Sequence, residues 1–118
     1  DFKYFKLGDW DIDFALTKGK DIVAYVEVKG RNKNIKDAYP LPVALRKVSK
    51  LQDRSEASII IWNCYDGIIF GLVKQIEGSL RWGGRDPRYQ SSNDEEMMVY
   101  YDKQNNLTEI ENEQNRTP

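Results

Sequence analysis

Three residues open a chemical reading of this chain: Asp13, Glu27 and Lys29. Glu27-Val28-Lys29 closes an apolar, β-branched run, Ile22 to Lys29, that reads as a strand buried on both faces. Strand side chains alternate with a period of two, so Glu27 and Lys29 share a face. Asp11 and Asp13 belong to the preceding run, Trp10 to Thr17, in which Trp10, Ile12, Phe14 and Leu16 alternate with Asp11, Asp13 and Ala15. Two carboxylates on adjacent strands, with the main-chain carbonyl of Val28, make an all-oxygen cradle. Hard divalent cations such as Mg²⁺ or Mn²⁺ fit it, and soft metals do not. A cation held this way activates a bound water and clamps a phosphate oxygen, which is the chemistry of phosphodiester hydrolysis. Lys29 would orient the attacking water or balance charge on the phosphate.

The cradle depends on a hairpin. Lys18-Gly19-Lys20 separates the two runs, and Gly supplies the positive φ of a tight turn. A turn centred on Gly19 sets Glu27 opposite Asp11, with Asp13 as its diagonal neighbour. A turn one residue longer on each side sets Asp13 directly opposite. Both aspartates therefore stand as candidate ligands. Charged groups on a core-facing strand cost on the order of several kcal/mol unless paired or metal-bound, so a fold that keeps them has a use for them.

The rest of the chain reads as one small α/β domain with a mixed sheet. Asp1 to Gly8 is a short extended lead-in. Gly30 to Ala38 is a polar loop. A helix is expected from Tyr39-Pro40-Leu41-Pro42 to about Asp53, with Leu41, Ala44, Leu45, Val48 and Leu51 as its apolar stripe. Lys47 lies on the border of that stripe, where it can turn toward the acidic face; Lys50 lies further toward solvent. Ser58 to Cys64 and Ile68 to Lys74 are strands joined by the turn Tyr65-Asp66-Gly67. A loop runs through Gly83-Gly84-Arg85 and Arg88, and Met97 to Tyr101 is a last edge strand. The single domain is expected to span residues 1–102, and residues 103–118 to form a polar, flexible tail.

The 118 residues carry a net charge of −1, which says little, but the charge is unevenly spread. Between Lys29 and Arg54 eight basic side chains face two acidic ones, a local charge of +6. Between Asp94 and Glu113 seven acidic side chains face Lys103 alone, a local charge of −6. A basic middle beside an acidic hairpin suits a polyanion held near a cation; Arg31, Lys33, Lys36, Lys47, Lys50, Arg85 and Arg88 are the candidate nucleic-acid contacts. The absence of histidine excludes Ser-His and Cys-His nucleophile systems and a His-ligated zinc site. One cysteine, Cys64, allows no internal disulfide and favours an intracellular setting, a host cytoplasm if the chain is phage-encoded.

These residues resemble a known group. Asp13-Phe-Ala-Leu, a turn, and Ala24-Tyr-Val-Glu27-Val-Lys29 are similar to the PD-(D/E)XK nuclease superfamily of restriction endonucleases, junction resolvases and phage exonucleases. Tyr39-Pro40, Lys47, an apolar strand ending near Asp66-Gly67, and Gly83-Gly84-Arg85 extend the resemblance, over roughly residues 4 to 101, to small phage proteins with this core. The resemblance implies an αβββαβ, restriction-endonuclease-like core with a crossover helix. In it Asp13 and Glu27 bind Mg²⁺ (or Mn²⁺), Lys29 assists the water, and the helix lysine and Gly-Gly-Arg loop lie nearby. Only twelve residues precede Asp13, so the N-terminal helix of such cores is expected to be missing; Ile12 stands where a proline is usual. The reading is a metal-dependent nuclease acting on nucleic acid, DNA first, as a homodimer or with a partner subunit. Its alternative is a non-catalytic nucleic-acid-binding or scaffold protein that keeps the fold.

Overall fold

A computed structural model describes residues 2–8, 12–83 and 96–112. Strands β1 (Phe2–Lys6), β2 (Phe14–Lys18) and β3 (Asp21–Gly30) form an antiparallel meander. Strand β5 (Ala57–Asn63) then lies parallel to β3. Parallel neighbours need a long crossover. Here that connection contains a 3₁₀ turn (Ile35–Asp37), strand β4 (Leu41–Ala44) and the helix α1 (Leu45–Gln52). Strand β6 (Gly67–Leu72) and strand β9 (Thr108–Glu111) complete a six-stranded mixed sheet in the order β1-β2-β3-β5-β6-β9. Strands β7 (Ser79–Gly83) and β8 (Glu96–Tyr101) join β4 in a second, antiparallel sheet ordered β4-β8-β7. The chain is thus an α/β fold, mostly strand, with a mixed sheet and, among the described residues, one α-helix.

Three expectations need correction. The helix starts at Leu45, not near Tyr39. Each proline disfavours helical geometry in the residue before it, so Tyr39 and Leu41 are held extended and β-branched Val43 continues the strand. Pro42 is tolerated because β4 is the edge of its sheet. The expected loop from Ser79 instead begins as strand β7, whose Leu80 and Trp82 pair with Val99 and Met97. Residues beyond Lys103 are not a loose tail throughout, because Thr108–Glu111 adds β9 to the large sheet. Leu107 buries itself ahead of that strand, and Gly67 lets it approach: a Cβ at Gly67 would strike the carbonyl oxygen of Ile110. Gly67 also has φ +157°, which favours glycine.

The core lies on one side of the large sheet. Ala15, Tyr25, Ile60, Trp62 and Ile69 point into it and meet Leu41, Val43, Val99 and Tyr101 of the small sheet and Val48 and Leu51 of α1. Trp62 is fully buried, donates its Nε1 hydrogen to the Pro42 carbonyl at 2.9 Å, and meets the Tyr101 ring edge-on at 5.7 Å. That hydrogen bond fixes β4, and with it the start of α1, over the centre of the sheet. The opposite face carries the other parity: Phe14 and Leu16 on β2, Val26 and Val28 on β3, Ile59 and Ile61 on β5, Ile68 and Phe70 on β6, and Ile110 on β9. None of these nine belongs to the core cluster, and Val28 and Ile110 are exposed.

Candidate metal and catalytic site

The hairpin closes by a two-residue turn, Gly19-Lys20, with Lys18 paired to Asp21 and Gly19 at φ +62°. Carried straight on, that register would set Asp13 across from Val26. It does not run straight on. Thr17 pairs with Ile22 but Leu16 pairs with Ala24, so Val23 is an extra residue on β3. The bulge moves every later pair by one, to Phe14 with Val26 and Ala15 with Tyr25. One residue further, Asp13 faces Glu27. A one-residue slip exchanges the two faces of a strand, so the bulge also decides that Glu27 looks into the core.

Beyond Phe14 the chain leaves the sheet at Asp13. The main-chain N–H of Val28 loses its ladder partner there and donates to Asp13 Oδ2 at 2.8 Å instead. N–H and C=O of one strand residue point to the same side, so the Val28 carbonyl also faces Asp13. The main-chain N–H of Asp13 in turn faces the Glu27 carboxylate. Asp13, Glu27 and the Val28 main chain therefore converge at the point where β2 ends.

Glu27 is 3% exposed, walled by Tyr25 on its own strand and Ile60 on β5. Its Oε1 is buried and accepts no hydrogen bond. Lys47 Nζ lies 3.6 Å away, close enough for an ion pair but too far for a hydrogen bond. The Lys47 side chain is itself only 12% exposed, so the border lysine of the helix stripe does turn inward. Burial pushes the Glu27 carboxyl above its ordinary range, and the Asp13 charge pushes it further. Lys47, Lys29 and the Asp13 N–H pull it back. Lys29 shares the Glu27 face, and its charge is felt there.

The structure thus brings Asp13, Glu27, Lys29, Lys47 and the Val28 main chain together. Asp11, Gly84, Arg85 and Arg88 lie outside the described residues. The remaining basic candidates separate. Arg31 is tied down, donating from Nε to the Ala38 carbonyl at 2.9 Å and from its terminal nitrogen to Pro40 at 3.4 Å. Lys33 and Lys50 are exposed. Lys36 lines a cavity of about 280 Å³ with Tyr39, Asp66, Lys103 and Glu109. In that cavity the Tyr39 hydroxyl donates to Glu109 Oε2 at 2.6 Å, and burial with the Glu109 charge pushes the phenol far up. Nothing in the spacing of Tyr39 and Glu109 foretold this contact, since it needs β9 to join the sheet.

Among the described residues no group of three His, Cys, Asp or Glu side chains forms a metal cage. The donor set is instead two carboxylates and a carbonyl, one carboxylate oxygen being buried without a donor. That suits Mg²⁺, which takes one or two carboxylates and keeps several waters. No family model, no curated protein and no solved structure matches the chain.

Proposed function

We propose that this chain is a metal-dependent nuclease that hydrolyses phosphodiester bonds, DNA being the first substrate to test. The observation that carries the reading is a buried Glu27 carboxylate beside Asp13, with its Oε1 donor-less and two ammonium groups acting on it. Two carboxylates pressed together in a poorly solvated corner repel each other, and a divalent cation relieves the repulsion. Asp13, Glu27 and the Val28 carbonyl would hold Mg²⁺ or Mn²⁺. When bound, such an ion supplies a water of lowered pKa and a clamp on the phosphate. Lys29 lies on the Glu27 side of β3, where its ammonium would orient that water or neutralise the phosphate. Lys47 favours the ionised form of Glu27 and keeps the cradle ready for a cation.

The order of elements supports the same reading. A three-strand meander, a crossover bearing α1 and a parallel strand β5 are similar to the strand-strand-strand-helix-strand order of the PD-(D/E)XK nucleases that the sequence resembles, with strand β4 added in the crossover. The acidic residue stands at the start of the second strand, and the Glu-x-Lys triplet on the third.

A second reading has its own observation. Lys47 already sits beside Glu27 Oε1, so the pair can be a structural ion pair in a nucleic-acid-binding or scaffold protein. Cleavage of linear, single-stranded and branched DNA with Mn²⁺, by wild type and by Lys29→Ala, separates the two. The nuclease reading expects cleavage by wild type and none by the variant. Binding of the same panel without any cleavage favours the scaffold.

A further inference from the structure

We infer that the open face of the six-stranded sheet is the interface of a two-fold symmetric dimer of this chain. Among the described residues the core cluster lies on the other side, and the molecule is only 25 Å thick along its shortest axis, so no second layer of described residues covers this face. Phe14, Val26, Ile59 and then Val28, Ile61, Phe70 run across it in two adjacent rows, matched strand to strand by the register. Among the described residues the centre of this face carries no Asp, Glu, Lys or Arg; Lys6 on β1, and the pair Lys18 and Asp21 at the β2–β3 turn, stand at its margin. In a chain of which 31% is charged, a neutral face of this extent is a departure.

Neutrality points to a second copy in particular. A face that meets itself sets like charge against like, so a self-associating face must be free of charge near the axis; a face for a different partner carries no such constraint. Size points the same way. The apolar part of β2, β3, β5, β6 and β9 measures roughly 24 Å by 17 Å from strand spacing and rise, or about 400 Å² of flat sheet. Side-chain relief and the aromatic residues of β1 bring the accessible area toward the roughly 600–1,000 Å² that each partner gives a stable interface. Monomers seldom leave so large an apolar patch open. Two twisted sheets facing each other stack about 10 Å apart with their strands near parallel, a geometry that one flat face offers to its own copy. Glu27 points to the opposite, core-facing side of the sheet, so its side chain takes no part in the pairing. The inference does not depend on the nuclease reading.

The test is the mass of the full chain by sedimentation equilibrium across the micromolar range. Wild type is expected at twice 13.8 kDa. Ile61→Lys and Ile61→Glu, each checked for a cooperative melt, are expected to be monomers. Mixed in equal amounts they are expected to regain the dimer, because the two-fold axis brings position 61 near its copy with opposite charge. Trp82→Lys, an exposed change on β7 away from this face, is expected to stay dimeric. A wild-type monomer throughout the range, or a folded Ile61→Lys protein that remains a dimer, would overturn the inference.

Discussion

Replacing Lys47 by Met tests the electrostatics of the site. The thioether chain keeps most of the packing and removes the charge. Lys47 Nζ and Glu27 Oε1 are 3.6 Å apart, and their side chains are 12% and 4% exposed, so solvent screens them weakly. At an effective dielectric constant near 20 their attraction is about 5 kcal/mol. Part of it is offset because Lys47 no longer has to be desolvated and Lys29 remains to face Glu27. The expected loss is therefore about 3 kcal/mol at pH 8, the lower end for breaking a buried pair. For a domain of this size that is roughly a 10 °C drop in Tm. The loss must depend on pH. Burial already raises the folded-state pKa of Glu27, and removing Lys47, which lowers it, raises it further. Near pH 4 the carboxyl is protonated in folded wild type and variant alike, so the difference shrinks to about 1 kcal/mol or less, the worth of an ordinary packing change. Urea unfolding at pH 4 and pH 8 measures both values. Glu27→Gln in the Lys47→Met background should recover most of the loss at pH 8. An equal loss at the two pH values, or no recovery in the double variant, would refute the buried ion pair.

Glu27→Gln alone flattens the pH dependence of stability. A raised folded-state pKa means that the folded state holds the proton more tightly, so wild-type stability falls as pH rises from the ordinary Glu range through the raised value, and the variant should lack that decline in urea titrations. Mg²⁺ or Mn²⁺ at a hundredfold excess over its Kd should stabilise the fold by about 2.7 kcal/mol, read as a rise in Tm, and Asp13→Ala should abolish the rise. Trp62→Ala should cost about 3–5 kcal/mol by calorimetry, since it empties the centre of the core and orphans the Pro42 carbonyl. DNA binding should weaken steeply with salt; salt-insensitive binding would remove Lys33, Lys36 and Lys50 from the contact surface.

The shared face of Glu27 and Lys29 was legible because strand alternation alone places them there, whereas the place of Lys47 at the edge of the helix stripe allowed both an inward turn and a solvated side chain, and the structure takes the first. The partner of Glu27 was not legible. Counting from Gly19 favours Asp11; the two-residue turn Gly19-Lys20 and the extra residue at Val23 each shift the register by one and together set Asp13 opposite, and no residue type in Ile22-Val23-Ala24 announces the bulge. The helix start was missed because Tyr39-Pro-Leu-Pro is as good a beginning for a helix as for an extended segment; what decides is the pairing of β4 with β8, some 55 residues later in the chain. Strand β9 was hidden by its polarity. Thr108–Glu111 is exposed along its length and is held by pairing with β6, the close approach at Gly67 and the buried anchor Leu107. The alternation in Phe14 to Leu16 and the continuous apolar run in Ile59 to Ile61 looked alike as core; only the completed sheet shows that one parity faces inward and the other lies open.

The measurement closest to the central claim is direct titration of Mn²⁺ into the protein, with free Mn²⁺ followed by electron paramagnetic resonance, for wild type, Asp13→Asn and Lys29→Ala. The account predicts Mn²⁺ binding by wild type, retained in Lys29→Ala because that residue holds no metal, and lost or strongly weakened in Asp13→Asn. Equal binding by wild type and Asp13→Asn, or no binding by wild type, would contradict it and leave Glu27 and Lys47 as a structural pair.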